Sequence, residues 1–256
     1  MCIQYLYSMF NKILEILKKY SLLIALLTLV YSCEEEVNID FSEENIESSK
    51  STEISINFPK AEGTAAIASK INKTISTYIV NQINLSEDTV ENITIDDAVT
   101  KFNDEFNSFK NDFPDSSQIW EAFIDGEVTY RSSEVICIAI NSYLDTGGAH
   151  GNTNVKFFNF DPQTGKLFGK KDLIDNMSAF SKVVEQKLLE KIKTDAENEP
   201  MEDVFFGKDF QLPETLGYSD EGIIILYNRY EIASYAQGIV EFTIPFEEVN
   251  SYLMIN

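Results

Sequence analysis

The spacing of apolar residues predicts three helices. Between residues 64 and 83, isoleucines recur at every fourth position, which places them on one face of an α-helix. A second stripe, rich in phenylalanine, runs over residues 95–113 and follows Thr94 and Asp97, which are spaced as in a capping box. A third stripe runs over residues 178–196. The three segments are predicted to be amphipathic helices whose apolar faces belong to a core.

Strand-like patterns occupy most of the remaining chain. Residues 53–58 alternate polar and apolar side chains, and residues 134–144 are almost continuously apolar, as expected of a central strand. Asp125-Gly126 is a turn dipeptide that fits either a hairpin or a bulge. Further strands are predicted at 155–160, 222–227 and 239–244. The order of elements predicts an α+β fold, in which a mostly antiparallel sheet packs with three main amphipathic helices.

The N-terminal segment, residues 1–32, has the pattern of a lipoprotein signal peptide. Three lysines precede an uncharged apolar core that is shorter than the roughly 20 residues of a membrane-spanning helix. The core ends in Val30-Tyr31-Ser32-Cys33, which resembles a bacterial lipobox. We therefore predict lipid attachment at Cys33. The alternative is a cleaved leader that is followed by an incidental cysteine.

The next segment, residues 33–52, is rich in Glu, Ser and Asn. Such a composition buries too little apolar area to fold, so a flexible acidic tether is predicted here. Glu34-Glu35-Glu36 also resembles the surface-export signal of lipoproteins in the Bacteroidetes group, and a solvated charge run is the alternative. The expected location is the cell envelope, with a lipid anchor in the outer membrane and surface exposure if the triplet is such a signal.

Composition narrows the range of functions. The chain has 42 acidic and 20 basic side chains and a net charge of −22, which argues against nucleic acid and permits a cationic partner. His150 is the single histidine, so a multi-histidine metal site is excluded. Cys137 lies in an apolar run and is predicted to be a small buried side chain rather than a catalytic thiol. No metal, cofactor or catalytic set is predicted.

A glycine-rich connection carries several candidate binding residues. Gly147, Gly148 and Gly151 permit a positive φ or a close approach of the backbone to another chain. Asp145 and His150 lie on the same connection. One interpretation is a loop that approaches a partner. The alternative is a tight strand connection in which His150 is hydrogen-bonded locally, and we favour it because a lone histidine is more often structural.

A tyrosine-rich segment supplies the other candidates. Tyr227, Tyr230 and Tyr235 either form a recognition surface or pack beneath the sheet. The candidate partner-binding residues are Asp145, Gly147, Gly148, His150, Gly151, Tyr230 and Tyr235.

Two ordered motifs resemble a known pair of domains. The first is YLDTGGAHG at residues 143–151, followed by residues 158–166, and the second is residues 227–238, followed by Ile244-Pro245-Phe246. Together they look like the C-terminal domain shared by RsiV-type anti-sigma factors and PdaC-type peptidoglycan deacetylases. The helical region that precedes them resembles the companion domain of those proteins.

The resemblance implies a PdaC-like α+β region at residues 53–130 and an RsiV-like C-terminal α+β domain at residues 131–256. The separate deacetylase domain of PdaC-type enzymes and the sigma-binding segment of RsiV-type factors have no counterpart that we recognise. In RsiV-type proteins the extracytoplasmic part binds lysozyme. The resemblance therefore implies a lipid-anchored binding module for a lysozyme-like cationic protein or another envelope component.

Two other functions stay open. A hydrolase or esterase that acts on envelope carbohydrate would use His150 and Asp145 as acid and base groups. A structural envelope lipoprotein would assist other components of the envelope. We favour a binding protein over an enzyme because no catalytic constellation is visible.

Overall fold

Two β-sheets and five helices make up the part of the chain that the structure describes, which is residues 39–49, 51–195 and 204–255 in a computed structural model. The larger sheet contains β1 (Ile39–Ser48), β2 (Glu53–Gly63), β3 (Glu121–Arg131), β4 (Ile136–Asp145), β5 (Asn152–Phe160) and β6 (Leu167–Phe168). The smaller sheet contains β7 (Leu216–Ser219), β8 (Gly222–Tyr227) and β9 (Val240–Pro245). The helices are α1 (Ala65–Gln82), α2 (Ile95–Asp112), α3 (Lys170–Leu173), α4 (Met177–Asp195) and α5 (Phe246–Val249).

The larger sheet has the strand order β1-β2-β3-β4-β5-β6. Its neighbouring strands are antiparallel except for β2 and β3, which are parallel and are joined through α1 and α2. A parallel pair needs such a long crossover because its strands run in the same direction. The predicted α+β fold, with a mostly antiparallel sheet and three main helices, is confirmed.

The two long helices of the crossover begin and pack as their sequence pattern predicts. Ile71, Ile75 and Ile79 of α1 are completely buried. At the start of α2, the hydroxyl of Thr94 accepts a hydrogen bond from the backbone N–H of Asp97 at 3.1 Å, and the Asp97 carboxylate accepts one from the Thr94 N–H at 3.4 Å. The capping box therefore fixes the first turn of α2.

The aromatic stripe of α2 packs around one tryptophan. Trp120, which directly precedes β3, has its ring centroid 5.6 Å from that of Phe102, 5.5 Å from Phe106 and 5.4 Å from Phe109. Phe102, Phe106 and Trp120 are buried, whereas Phe113 at the end of the stripe is exposed. The stripe is thus a core feature over most of its length, as predicted.

The smaller sheet packs against the larger sheet. Its first strand, β7, contacts β3, β4 and β5 of the larger sheet, and α4 contacts β9. Two side chains of the larger sheet bind the backbone of β7. Asn159 Nδ2 donates to the carbonyl oxygen of Leu216 at 2.8 Å, and the Sγ atom of Cys137 accepts from the N–H of Tyr218 at 3.3 Å. These buried contacts fix where the smaller sheet lies on the larger one.

The prediction of a flexible tether at residues 33–52 is wrong for most of the residues that the structure describes there. Ile39–Ser48 form β1, the edge strand, whose residues pair with β2 from Gly63 to Ile54. Thr52 is buried, and its hydroxyl donates to Asn103 at 3.0 Å. An edge strand keeps its outer side and one edge in water, so a Glu-, Ser- and Asn-rich sequence is compatible with it.

The Asp125-Gly126 dipeptide makes neither a hairpin nor a bulge. It lies inside β3, and the irregularity in the pairing of β3 with β4 falls between Val128 and Tyr130. A Cβ atom on Gly126 would lie 2.6 Å from Ile140 and 3.3 Å from the backbone of the neighbouring strand. The glycine is therefore needed for close packing and not for a turn.

Several predictions fall outside the described residues, namely the signal peptide at 1–32, lipid attachment at Cys33 and the acidic triplet. Within the described ranges, no helix is long and apolar enough to span a bilayer. The predicted boundary between the PdaC-like region and the C-terminal domain, at residue 130, lies inside the larger sheet. Strand β3 ends at Arg131 and pairs with β4 along its length.

We expect the buried Cys137 thiol to make stability fall at alkaline pH. Burial raises its pKa from an ordinary value of 9.0 to about 11, so between these values the folded state retains a proton that the unfolded state loses. The unfolding free energy should therefore decrease with rising pH, by about 1 kcal/mol more from pH 9 to 10 in the native chain than in Cys137→Ala. Urea unfolding at pH 8, 9 and 10 measures this difference. An equal change of the unfolding free energy with pH in the two proteins would contradict the prediction.

Candidate functional site

The glycine-rich loop and the tyrosine-rich segment meet in space. The loop, residues 145–151, connects β4 to β5, and the segment, residues 228–238, connects β8 to β9. The imidazole of His150 stacks on the ring of Tyr235 with 3.6 Å between centroids and 19° between planes. The Tyr235 hydroxyl donates to the carbonyl oxygen of Gly151 at 3.1 Å. We call the surface formed by these two stretches the junction.

The first half of the loop is fixed by a carboxylate and a glycine. Asp145 Oδ1 accepts a hydrogen bond from the N–H of Gly147 at 2.7 Å, and Gln118 Nε2 donates to the Gly147 carbonyl oxygen at 2.6 Å. Gly147 has a φ of 85°, and a Cβ atom there would lie 2.3 Å from the Gln118 side chain. The backbone conformation favours glycine at this position, and a side chain there would also displace Gln118.

The second half of the loop is shaped by a tyrosine. A Cβ atom on Gly151 would lie 2.4 Å from the ring of Tyr143, so the backbone reaches the ring only because this residue has no side chain. The Tyr143 ring stacks in turn on Phe123 of β3 with 6.0 Å between centroids. Partial burial is the main cause that raises the pKa of the Tyr143 hydroxyl, and the negative charge of Asp145 raises it further. The hydroxyl therefore stays protonated in neutral solution.

The tyrosine-rich segment is attached to the larger sheet by one amide side chain. Asn228 Oδ1 accepts from the N–H of Val155 at 2.8 Å, and Asn228 Nδ2 donates to the Val155 carbonyl oxygen at 2.9 Å. The short strand β6 pairs with β5 only at Asn159 and Phe160, so this part of β5 is an edge. The Asn228 amide thus occupies the place of a neighbouring strand.

A half-buried carboxylate holds the turn that follows. Glu231 accepts hydrogen bonds from the N–H of Asn228 at 2.9 Å and from the N–H of Glu214 at 2.7 Å. Burial raises the pKa of Glu231, and these two hydrogen bonds oppose that rise. Tyr230 has a φ of 65°, a conformation that is uncommon for a large side chain, and its ring is 56% exposed. The turn therefore presents Tyr230 to solvent.

Tyr235 is the centre of the junction. Besides His150 and Gly151, it contacts Arg229, whose guanidinium carbon lies 4.3 Å from the ring centroid and whose Nη1 donates to the Tyr235 hydroxyl at 2.9 Å. The ring of Tyr230 lies 5.8 Å away. These contacts hold an imidazole, a guanidinium and two phenol rings together at the surface.

All seven predicted binding residues therefore belong to the junction. Gly148, His150 and Tyr230 are exposed, Asp145, Gly147 and Tyr235 are half-buried, and Gly151 is buried. His150 has features of both the partner-binding and the locally bonded interpretation. It is exposed, and its Nδ1 lies 3.2 Å from the Gly151 carbonyl oxygen.

The sequence did not single out the residues that support the junction. Asn228 lies in the second motif but was not identified as a supporting residue, and Gln118 lies outside both motifs; each forms hydrogen bonds with backbone atoms. The outward position of Phe123 could have been predicted. It lies between Ala122 and Ile124, which are buried, and successive side chains of a strand point to opposite sides of the sheet.

The junction is a surface rather than an enclosed pocket. Two grooves of about 570 and 390 Å³ lie elsewhere, between β1 and α2, where Ile46 and Asp96 contribute to both. Within the described ranges, no three His, Cys, Asp or Glu side chains are grouped to hold a metal ion.

We expect Asn228→Ala to loosen the junction. The change removes both partners of Val155 at the edge of β5, which should lower the unfolding free energy by about 2 kcal/mol. Hydrogen exchange should also become faster at Val155 and over residues 228–238. Asn152→Ala, at an exposed position of the same strand, is the matched control. Equal urea midpoints for the two variants would show that the Asn228 amide does not hold the segment.

Two family models match successive parts of the chain. A family model described as deacetylase PdaC matches residues 30–153, and one described as a protein of unknown function, DUF3298, matches residues 167–247. No curated protein matches the chain.

Solved structures agree on the fold. A DUF3298 family protein from Pseudomonas aeruginosa PAO1 has a TM-score of 0.59 at 17% identity, over 86% of this chain and 95% of that one. A member of the DUF3298 family from Bacteroides fragilis has a TM-score of 0.54 at 18% identity, over 84% of this chain and 93% of that one. The two matched regions fit a cell-envelope-associated module. The chain thus combines a PdaC-type region with a DUF3298 region, the pair of domains found in RsiV-like and PdaC-type proteins.

Proposed function

We propose that this chain is a lipid-anchored module of the cell envelope that binds a basic protein, such as a lysozyme-like hydrolase, through the junction. The observation that carries the proposal is that the loop 145–151 and the segment 228–238, far apart in sequence, form one surface with exposed aromatic side chains. Exposed tyrosine on a backbone that is already ordered suits recognition, because little conformational entropy is lost on binding.

The contacts of His150 and Asp145 support binding more than catalysis. The imidazole stacks on Tyr235, and its Nδ1 faces a backbone carbonyl oxygen, whereas a general base is usually oriented by a carboxylate. Asp145 accepts the Gly147 N–H and lies 3.4 Å from the Tyr143 hydroxyl. Both side chains therefore maintain the shape of the loop.

Charge supports a basic partner. With 42 acidic and 20 basic side chains, the chain attracts a positively charged protein over distances longer than direct contacts. Such attraction raises the association rate and weakens as salt screens it. The lipobox-like sequence that ends at Cys33 supports the lipid anchor, and the acidic triplet after it supports an outer-membrane location.

We expect residues 34–256 to bind hen lysozyme in calorimetry at low ionic strength, with an affinity that falls as sodium chloride is added. This segment contains the compact unit Asn38–Asn256. Tyr230→Ala should weaken binding about tenfold, because exposed tyrosines at interface centres contribute more than 1 kcal/mol.

Phe206→Ala is the matched control for this experiment. Phe206 is 55% exposed with a φ of 54°, against 56% and 65° for Tyr230, but lies in the chain before β7 and outside the junction. Absence of heat at low ionic strength would remove lysozyme as a partner. Equal effects of the two variants would remove the junction as the binding surface.

A further inference from the structure

In the part of the chain that the structure describes, one half of the larger sheet has a largely exposed face. In a strand, successive side chains point to opposite sides, and directly paired residues of neighbouring strands point to the same side. Ala122 and Ile124 of β3 are buried, so Phe123 between them points to the opposite, outer side, where it is 39% exposed. On this outer side, β7 of the smaller sheet packs against β3, β4 and β5. We call the exposed part, formed by the outward residues of β2 (53–57), β3 (121–127) and β4 (141–145), the open face.

The open face has an aromatic centre. Phe123 is paired with Tyr143 across β3 and β4, and the two rings are nearly parallel, with 15° between planes. Ser55 of β2 and Thr153 of β5 flank this pair in the same row. Short polar neighbours leave the two rings accessible from solvent, so a partner can bury them.

Carboxylates surround the aromatic centre. Glu53 is paired with Glu121, which is paired with Asp145, so three negative side chains lie in one row across adjacent strands. Asp125 and Glu127 continue the same side of β3 and are exposed. The outward positions of these strand segments include no Lys or Arg. Six ion pairs of Lys or Arg among the described residues involve carboxylates outside this row.

This arrangement has a cost to the free protein that a basic partner would relieve. Like charges directly opposite each other on neighbouring strands are destabilising. An aromatic centre with a polar rim is also common in protein interfaces. The face is continuous with the junction, because Tyr143 contacts Gly151 and Asp145 belongs to both surfaces.

We propose that the open face is a second docking surface, on which a folded basic protein places lysine or arginine side chains around an apolar contact with Phe123 and Tyr143. The inference rests on the proposed function and extends its site from the junction onto the sheet. The carboxylate row attracts the partner, and the aromatic pair contributes the apolar contact.

The test is a matched pair of charge-neutralised variants of residues 34–256. In the first, Glu53→Gln, Glu121→Gln and Asp125→Asn remove three charges from the open face. In the second, Glu87→Gln, Asp88→Asn and Glu91→Gln remove three exposed charges from the loop between α1 and α2. The net charge changes equally, so a difference in affinity reports the local surface. Circular dichroism during heating checks that both variants are folded.

Affinities are measured for hen lysozyme, horse cytochrome c and bovine ribonuclease A, three folded basic proteins, at low and at about 0.15 M ionic strength, where the Debye length is about 8 Å. The open-face variant should lose about tenfold in affinity and the control variant less than about twofold. Phe123→Ala should weaken binding more than Leu85→Ala, whose side chain is similarly exposed at 37%.

The outcomes separate the two proposals. If lysozyme binds and the two triple variants behave alike, the open face is overturned and the proposed function stands. If lysozyme does not bind but another basic protein does, with the expected loss in the open-face variant, the open face is supported and lysozyme is overturned as the partner. If none of the three proteins binds, both proposals are overturned.

Discussion

The arrangement of the candidate site depends on one side chain that replaces a strand. Asn228 forms both hydrogen bonds that a neighbouring strand would make with Val155, at the part of β5 that β6 leaves unpaired. This contact attaches the turn after β8 to the larger sheet. Tyr235 then lies over His150, and its hydroxyl reaches Gly151. The amide thus holds the segment after β8 next to the loop between β4 and β5.

The fold could be predicted from the sequence wherever one face of an element is buried. The isoleucine spacing of α1 and the capping box of α2 are direct consequences of helix geometry, and the structure contains both. The strand β1 escaped prediction because it is an edge strand with a polar outer side, and its composition is that of an unfolded segment. Gly126 was misinterpreted for a related reason, because a glycine that permits close packing looks identical in sequence to one that permits a turn.

The loop and the segment that form the junction were named from the sequence, whereas the contacts that hold them together were not. Glycines and tyrosines that recur in a motif identify the loop and the segment, and the structure brings both together. The contacts that hold them are made by Asn228, Gln118 and Glu231, which bind backbone atoms and therefore leave no spacing pattern. The stacking of Arg229 on Tyr235 was likewise not predicted, since such a contact depends on the tertiary structure.

The junction holds aromatic side chains in place at the surface, and we propose that a basic partner binds them there. Hydrogen exchange of residues 34–256 with and without saturating hen lysozyme tests this most directly, because it locates the contact without any substitution. If lysozyme binds at the junction, exchange should become slower over residues 145–151 and 228–238 and change little in α2. Protection confined to α2 and the grooves beside β1, with an unchanged junction, would contradict it.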